Sequence, residues 1–387
     1  IKRMSVNSLG TTAPAPHQVF APTHAERVQR ARTDFFERGL RPSGLISEAV
    51  IQSWMRCLRV SSNQRQKVAF EPVSASRQHA ARERSRGLLE LAQPPLQTLE
   101  QALSGTGAHV LLTNGDGVML YATPAPTGPR MLMHGVARAG VCVAEAQVGT
   151  NAPGIVVATG QACTVTGSEH YFEGLHALRC AAAPIRNAQG ALVGVLDVTV
   201  EDQAFGFDPA AMVGLYATTI ENALLRAQAR DQLVLRFQTH PSLLGSPLEG
   251  LAGIAADGSL VWTNEAGARL LGCAAPVRQP LSALELLAID MRGLLGMAHA
   301  EAARPLRLAS GLGLWVQAQL CDGALALAGW ELPAAQLALP EVQPVVQDHR
   351  PEQLPAATLR AHSRPPTPQT LAHPRRDVLP ICGLLGI

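Results

Sequence analysis

Residues 178–200 read LRCAAAPIRNAQGALVGVLDVTV, and this stretch decides the fold of the region around it. Leu178–Arg186 and Ala191–Val200 are rich in small and β-branched apolar residues, a composition typical of buried strands. The connection between them, Asn187-Ala188-Gln189-Gly190, begins with Asn and ends with Gly, two residues that favour turns. The stretch therefore predicts two antiparallel strands joined by a short turn.

Further strands extend this sheet toward the N-terminus. His109–Thr113 and Gly117–Thr123 are predicted strands joined through Asn114-Gly115-Asp116-Gly117, which is a strong hairpin signal. Ala162–Thr166 is another predicted strand, and the residues before it are less regular. We therefore expect a mostly antiparallel sheet with helical material inserted in its middle.

Helical patterns precede the sheet. One includes His24–Arg38, and another, Leu45–Val60, has apolar residues at helical spacing. Those residues are Ile46, Val50, Trp54, Cys57 and Leu58. A third pattern covers about 76–103 around Pro94 and Pro95. Because proline lacks the backbone N–H group, we expect these two residues to kink or interrupt the helix.

Residues 209–237 predict a long helix after the sheet. Its apolar residues follow a 4-3-4-3 spacing, with Asp231 taking one place in the series. They are Val213, Ala217, Ile220, Leu224, Ala227 and Val234. Such a stripe fits either the seam of a homodimer or a helix packed on its own sheet, and the spacing leaves both open.

A second unit of helices and strands begins near Leu251. Leu251–Ala256 and Ser259–Thr263 flank Asp257-Gly258 as a predicted hairpin, and Asn264–Leu271 predicts a short helix. Later predicted strands are Leu306–Leu308, Leu314–Leu320 and Ala324–Trp330. The residues from 340 to 380 contain nine prolines and no periodic pattern, which predicts a linker or a disordered end.

The composition excludes several classes of protein. Of 387 residues, 47% are hydrophobic, and the net charge of +2 argues against a strongly basic nucleic-acid surface. No apolar run reaches membrane-spanning length and no signal peptide opens the chain, so we expect a cytoplasmic protein that does not contact a membrane. The seven cysteines are scattered without a C-x-x-C pair, which is typical of a reducing compartment.

Sequence motifs for catalysis are missing. The chain has no G-x-S-x-G, no H-E-x-x-H and no G-x-x-x-x-G-K-[ST]. The titratable residues Glu169, His170, Glu173 and His176 lie close together but lack the paired spacing of a zinc site. We therefore expect no enzyme activity, no cofactor and no metal.

Four segments follow one another along the predicted sheet. They are Gly149-Thr150-Asn151-Ala152, Glu169-His170-Tyr171-Phe172, Cys180-Ala181-Ala182-Ala183-Pro184-Ile185 and Gly194-Val195-Leu196-Asp197. In order and spacing this set resembles the GAF sensory domain of acetoin-catabolism-type regulators, which are enhancer-binding activators of sigma-54 RNA polymerase. Ser53-Trp54, Arg56 and Cys57 resemble the S-W-x-R-C motif that precedes this domain in the family. Asp257-Gly258 with Asn264-Glu265-Ala266 resembles the opening of a PAS domain.

Two positions depart from the family pattern. Val143-Ala144-Glu145 occupies the place of a W-S-E sequence, and Pro153 follows G-T-N-A where isoleucine is usual. Proline fits the first turn of a helix capped by Asn151. Loss of the tryptophan is expected to reshape a ligand pocket.

The resemblance and the patterns together predict an α+β fold. A helical region with the S-W-x-R-C motif covers 1–85, a GAF-like antiparallel sheet with helices and a signalling helix covers 86–237, and a PAS-like α+β domain covers 245–335. Residues 336–387 are the proline-rich tail.

The resemblance implies that a small metabolite binds in the GAF-like domain and signals through a helix of a homodimer. RNA polymerase and DNA would be reached only through ATPase and helix-turn-helix domains that are missing from this sequence. Residues 376–386 resemble the approach to a Walker loop, as if the chain ended where the ATPase begins.

Seven residues are the candidates for ligand binding. Thr150 and Asn151 would act from a helix N-terminus, although capping that helix is the favoured interpretation of both. The cysteines of the domain would line its cavity, or pack as buried apolar groups, or sense redox state. The full set is Cys142, Glu145, Asn151, His170, Tyr171, Phe172 and Cys180.

Two other functions stay open at this point. One is a stand-alone GAF/PAS interaction module that modulates a full-length activator. The other is a GAF-fold redox enzyme of the free methionine sulfoxide reductase kind, which needs a reactive cysteine of low pKa.

Overall fold

The computed structural model describes residues 22–124, 131–279, 281–300 and 302–321. Its helices are α1 His24–Arg32, α2 Glu48–Val60, α3 Ala75–Arg84, α4 Arg86–Ala102, α5 Met131–Val136, α6 Glu145–Val148, α7 Ala152–Thr159, α8 Pro209–Gln228, α9 Glu265–Leu271, α10 Ala283–Leu287 and α11 Met291–Ala298. A π-helical turn, Thr33–Glu37, continues α1.

The strands fall into two antiparallel sheets. The first sheet has the order β2-β1-β5-β4-β3, and the second has the order β10-β11-β6-β7-β8-β9. The strands are β1 His109–Asn114, β2 Met119–Ala122, β3 Cys163–Thr166, β4 Leu178–Arg186, β5 Leu192–Glu201, β6 Leu233–Gln238, β7 Gly250–Ile254, β8 Ser259–Thr263, β9 Leu281–Ser282, β10 Arg304–Arg307 and β11 Gly313–Leu320. The fold is therefore α+β, as the sequence predicts.

The first sheet is buried on both faces because its central strands carry apolar residues in both alternating sets. On one face, Leu111 and Val195 pack with Trp54 of α2 and Ile155 of α7. On the other face, the alternate residues of β1, β4 and β5 pack against α4 and α8. The predicted hairpin β4–β5 lies at the centre of the layers, with Val198 opposite Ala181. Helical material is inserted between β2 and β3, as expected.

Pro94 and Pro95 were predicted to kink or interrupt the third helical pattern, and they do not interrupt it. Both prolines lie inside α4, and the break falls instead at Ser85, between α3 and α4. Pro94 cannot bond the carbonyl of Glu90, but both residues are exposed, so water can satisfy that carbonyl. Burial of the apolar face of α4 on the first sheet holds the helix together across the prolines.

The predicted helix over 209–237 is correct only as far as Gln228. Ala229 has a ψ of 69°, which ends the helical path, and after Asp231 with its φ of 55° Leu233–Gln238 is a strand of the second sheet. In that strand Leu235 and Phe237 point into one core, while Val234 packs in another cluster. The alternation of a strand therefore prevails over the helical spacing in this segment.

The apolar stripe of α8 packs on its own sheet. Val213, Ala217, Ile220 and Leu224 are all buried against the first sheet. Of the two interpretations that the spacing left open, this arrangement matches the second, so the stripe does not offer an exposed dimer seam.

Part of the second sheet follows the prediction. β7 and β8 form the expected hairpin, and Asn264 caps α9 by accepting a hydrogen bond from the Gly267 N–H. The core of this unit contains Leu235, Phe237 and Val316. We propose residues 229–232 as the division between the two α+β units, since α8 packs on the first sheet and β6 belongs to the second.

Several predictions lie outside the described residues. They are the strand Ala324–Trp330, the proline-rich tail from 340 to 380, the segment 376–386 and the irregular residues 1–20. Within the described ranges, no helix combines the length and apolar character needed to cross a bilayer.

Candidate functional site

A small cavity lies beneath the first sheet, on the face that carries α2 and α7. Its volume is about 30 Å³, and holding one water takes roughly 10–15 Å³ on the same scale. Strands β1, β4 and β5 form its floor, and helices and connecting segments close it. The lining residues are Phe70, Leu111, Val136, Val143, Val148, Asn151, Pro153, Leu175, Leu178, Cys180, Asp197 and Thr199.

Asp197 is the acidic residue in this lining, and the list contains no basic residue. It lies in the middle of β5, opposite Leu111 of β1 and Ala182 of β4, and it is completely buried. The Thr199 hydroxyl donates a hydrogen bond of 2.6 Å to its Oδ2 atom. Its Oδ1 atom has no partner among the described residues. Burial raises the pKa of Asp197 to about 7, because a low-polarity environment disfavours the charged form.

The sequence prediction missed Asp197 and Thr199 as site residues. The available signal was the lone acidic residue in the apolar run Gly194–Val200, where a buried strand normally has none. A buried polar atom without a partner is costly, so it marks a position where a ligand or water is expected to bind.

Asn151 lines the cavity, but all of its polar atoms are already used. Its Oδ1 atom accepts a hydrogen bond of 2.8 Å from the Gly154 N–H, which caps α7. Its Nδ2 group donates to the carbonyls of Val143 and Gly149 at 2.9 and 2.8 Å. Pro153 lies in the first turn of the helix, as the sequence predicts. The contacts of Asn151 thus match the capping interpretation.

Cys180 also lines the cavity. It lies on β4, and its Sγ atom is 3.6 Å from His170 Nε2. Burial raises the pKa of the thiol well above its ordinary value. The ring of His170 is buried as well, which lowers its pKa to about 4, and its Nδ1 atom lies 2.9 Å from the Gly167 carbonyl. Both groups are therefore uncharged at neutral pH.

Tyr171 and Phe172 pack in the core and do not line the cavity. Their rings meet edge to face, with centroids 5.1 Å apart. The Tyr171 hydroxyl donates to the carbonyl of Ser61. Phe172 fits against Gly149, where a Cβ atom would lie 2.7 Å from its ring and where φ is 70°. The aromatic pair thus fixes the G-T-N turn that leads into α7.

Glu145 and Cys142 lie apart from the lining residues. Arg56 of α2 donates two hydrogen bonds to Glu145 of α6, from Nε at 2.6 Å and from Nη2 at 2.8 Å. Cys142 is only half buried, and its Sγ atom is 3.8 Å from Gln147 Oε1. The S-W-x-R-C motif therefore supplies a bidentate ion pair that ties α2 to the segment before G-T-N.

Trp54 of the same motif is completely buried. Its Nε1 group donates a hydrogen bond of 2.7 Å to the carbonyl of Glu169, and its ring stacks near Phe35 and Phe36. This position anchors α2 in an apolar seam.

Four of the described cysteines do not have the low pKa of a reactive thiol. Burial raises the pKa of Cys57, Cys180 and Cys273, and it raises that of Cys163 to about 12. Thiolate is the reactive form, so these groups are suited to packing and not to redox catalysis. Among the residues that the structure describes, no three His, Cys, Asp or Glu side chains are grouped to hold a metal ion.

Larger depressions lie elsewhere. A cleft of about 720 Å³ is bordered by Arg186, Glu221 and Asn264, and grooves of about 470 and 460 Å³ follow the two ends of α4. The walls of the cleft and of the 470 Å³ groove are more polar than apolar, whereas the 460 Å³ groove mixes both with an apolar excess. The small cavity differs because its walls are apolar and a buried carboxyl oxygen without a partner borders it, which is the pattern expected of a ligand site.

Comparisons with known proteins agree with the motifs. The family described as “MimR, N-terminal domain” matches residues 21–218, just over half of the 387 residues. The acetoin catabolism regulatory protein of Cupriavidus necator is 31% identical over 251 residues, which are 62% of this chain and 37% of that protein. The resemblance to acetoin-type transcriptional activators is thereby confirmed.

Two further relatives carry regulator names. The acetoin dehydrogenase operon transcriptional activator AcoR of Bacillus subtilis is 29% identical over 52% of this chain and 34% of its own length. The propane 2-monooxygenase operon transcriptional activator MimR of Mycolicibacterium smegmatis is 31% identical over 44% of this chain and 28% of its own length. The chain thus spans between 28% and 37% of these three relatives.

Solved structures include one with an alignment across most of the chain. The crystal structure of the E. coli DhaR(N)–DhaL complex aligns with 71% of this chain and 100% of that chain, at 16% identity and a TM-score of 0.43.

Proposed function

This chain belongs to the MimR N-terminal domain family, and from that premise we propose that it is the ligand-sensing region of a sigma-54-dependent transcriptional regulator. The first sheet with its helices is the GAF-like sensory domain, and the second sheet is the core of a PAS-like domain. The regulator names of three relatives support the regulatory role. The observation that carries the site is the unpartnered Oδ1 atom of Asp197 beside the cavity.

The size of the cavity limits the effector to a small molecule. About 30 Å³ is far below the roughly 300–1,000 Å³ of pockets for drug-sized ligands. A nucleotide or an aromatic metabolite is excluded unless the walls move. A compound with a few heavy atoms is the expected effector.

The chemistry of the walls favours an uncharged effector with a hydroxyl group. Most of the wall is aliphatic, and burying a second charge there would be costly. The Oδ1 atom of ionised Asp197 accepts hydrogen bonds and does not donate them. A hydroxyl that donates to Oδ1 would satisfy it and would stabilise the ionised form of the carboxyl.

The sheet offers a route for the signal. β5 carries Asp197 on the cavity face, while its alternate residues Leu196 and Val198 pack toward α4 and α8 on the other face. A shift of β5 on ligand binding would change how α8 packs, and α8 leads directly into the second sheet. The effector thus needs only to favour one of two packings of α8.

A matched pair of compounds tests the site. Ethanol and acetonitrile have three heavy atoms each, but only the alcohol donates a hydrogen bond. At pH 8 we expect ligand-detected NMR to show binding of ethanol and at least about tenfold weaker binding of acetonitrile. Asp197→Asn is expected to abolish this preference, while Asp202→Asn at an exposed position next to β5 preserves it. Equal binding of both compounds to the wild type would refute the assignment of Asp197.

Of the seven candidate ligand residues, we retain Cys180 and Asn151 as wall residues and His170 as the group behind Cys180. We propose that Tyr171, Phe172 and Glu145 act indirectly, by holding the segments around α7. Cys142 has no contact that ties it to the cavity. The expected homodimer stays a prediction, and its interface lies elsewhere than the buried stripe of α8. A stand-alone module that modulates a full-length activator would use the same cavity.

A further inference from the structure

The segment 61–74 crosses the outside of the cavity between α2 and α3. It has no regular secondary structure apart from a bridge between Pro72 and Val141. Most of its side chains are exposed, whereas Val68 and Phe70 turn inward and pack against the core. We refer to residues 61–74 as the strap.

Phe70 is the only partly exposed residue among those that line the cavity. The other eleven lining residues are buried, and most of them lie on strands or helices of the first sheet and its layers. Phe70 is therefore the lining residue that also reaches solvent. Displacing its ring would connect the cavity with solvent.

The strap is fixed at its ends and loosely held near Phe70. At one end Tyr171 donates to the Ser61 carbonyl, and the Glu173 N–H donates to the Gln64 carbonyl at 2.9 Å. At the other end the Val73 N–H donates to the Gly140 carbonyl at 2.9 Å. Between them, over residues 67–71, the one hydrogen bond among the described residues runs from Arg138 Nη2 to the Phe70 carbonyl, at 2.5 Å.

The ring of Phe70 rests on a glycine of α5. A Cβ atom at Gly135 would lie 2.7 Å from Phe70 Cδ2, so any larger residue would push the ring away. Gly135 thus provides the space that lets Phe70 close the cavity. The ring itself makes no polar contact, and only apolar packing opposes its outward movement.

We propose that Phe70 is the gate of the cavity and that its size limits which molecules reach Asp197. The gate serves the site described under Proposed function, but its opening is a property of the chain that needs no effector. A small residue at position 70 leaves an open path through the wall. A larger one closes it.

Cys180 provides a built-in reporter of access, because it lines the cavity and is otherwise buried. Methyl methanethiosulfonate is a small uncharged reagent for thiols. The Cys180 thiolate attacks its sulfenyl sulfur, a methyl disulfide forms, and methanesulfinate leaves, so no other oxidant is needed. The rate at each cysteine can be followed by mass spectrometry of the peptides at pH 8.

Cys57 is the internal control. It is buried in the same core but does not line the cavity. Global unfolding exposes both thiols, whereas opening of the gate exposes Cys180 alone. We expect Phe70→Ala to raise the rate at Cys180 by at least about tenfold and to leave the rate at Cys57 unchanged. Phe70→Trp is expected to lower the rate at Cys180.

Two more variants guard against a misfolded Phe70→Ala protein. Arg138→Ala removes the hydrogen bond to the strap from an exposed position, and we expect it to raise the rate at Cys180 alone. Val68→Ala lies on the same strap outside the cavity wall and is expected to change neither rate. The proposal is wrong if Phe70→Ala and Arg138→Ala leave the reaction rate of Cys180 unchanged. It is also wrong if both variants raise the rate of Cys57 as much as that of Cys180. These outcomes do not depend on whether an alcohol binds.

Discussion

At the scale of single residues, Asp197 is the most informative group in the chain. A completely buried carboxyl with one hydrogen-bond partner is disfavoured in its charged form, which is why its pKa is raised to about 7. The folded state therefore binds the Asp197 proton more tightly than the unfolded state, where the ordinary value is 3.8. The stabilising contribution is complete below pH 4 and is lost as the pH rises to about 7.

This difference predicts the behaviour of Asp197→Asn. Between pH 4 and 7 the free energy of unfolding of the wild type should fall by up to about 4 kcal/mol from this group. Glu169, whose pKa burial also raises to about 7, adds to the same trend. The variant should lose the Asp197 part of the slope and be more stable than the wild type at pH 8 by about 1–3 kcal/mol. Urea unfolding of both proteins at four pH values measures the slope and the difference in the free energy of unfolding.

The exposed Asp202 supplies the control for that experiment. Asp202→Asn removes the same negative charge close to the end of β5, but the carboxyl that it removes is exposed. Its unfolding curve should keep the slope of the wild type. Parallel slopes for Asp197→Asn and the wild type would contradict the assigned pKa.

Asp197 and the segment Glu169-His170-Tyr171-Phe172 show how far the role of a single residue can be predicted from the sequence. A motif indicates that Tyr171 and Phe172 matter, but not whether they face a cavity or a neighbouring turn. That depends on the position of Gly149, which is close in space and distant in sequence. Asp197 was visible as a polar residue in an apolar strand, yet the register of β5 decides which face it occupies.

At the scale of elements, α7 depends on its cap. Asn151 is buried and makes three hydrogen bonds, whereas Ser74, which caps α3, is exposed and accepts a single bond of 3.4 Å from Arg77. We expect Asn151→Ala to lower the free energy of unfolding by about 2–4 kcal/mol, because buried donors and acceptors lose their partners.

Ser74→Ala is the matched control, with an expected loss of about 0.5–1 kcal/mol. Chemical denaturation of the two variants gives both values directly. Similar losses would mean that the two hydrogen bonds from Asn151 to backbone carbonyls add no stability to that of an ordinary cap. The expected difference between the two caps would then be wrong.

Element types were largely predictable, while helix ends and interruptions were not. Strands β4, β5, β7 and β8 follow from their alternation and turns. α4 runs through two prolines because its apolar face is buried, a tertiary effect that local rules cannot include. The sequence prediction extended the helix of α8 into β6, because the apolar residues at positions 224 and 234 happen to fit helical spacing.

At the scale of the whole molecule, a buried polar network joins α8 to the second sheet. Glu249 is almost completely buried, and it accepts hydrogen bonds from Arg226 of α8 at 3.1 Å and from Arg236 of β6 at 2.9 Å. Asn264 donates to Asn222 of α8 and to the Glu249 carbonyl, both at 2.9 Å. α8 is thus attached to both sheets, which fits a role in passing a signal between them.

This network predicts how the two sheets unfold. In the wild type we expect one cooperative transition, since α8 contributes to both cores. Glu249→Gln leaves Arg226 and Arg236 without their counter-charge, at an expected cost of about 1–3 kcal/mol, since both arginines reach solvent. The loss falls on the second sheet and the end of α8, while the first sheet keeps its own core.

Tryptophan positions separate the two parts. Trp54 reports on the first sheet, and Trp262 and Trp315 report on the second. Single-tryptophan variants followed in urea should give coincident curves in the wild-type background and separate curves with Glu249→Gln, where the second sheet unfolds first. Glu265→Gln removes only an exposed pair with Arg269 and should leave the curves coincident. If Glu249→Gln lowers both transitions together, the network stabilises the chain without acting as the joint between its two sheets.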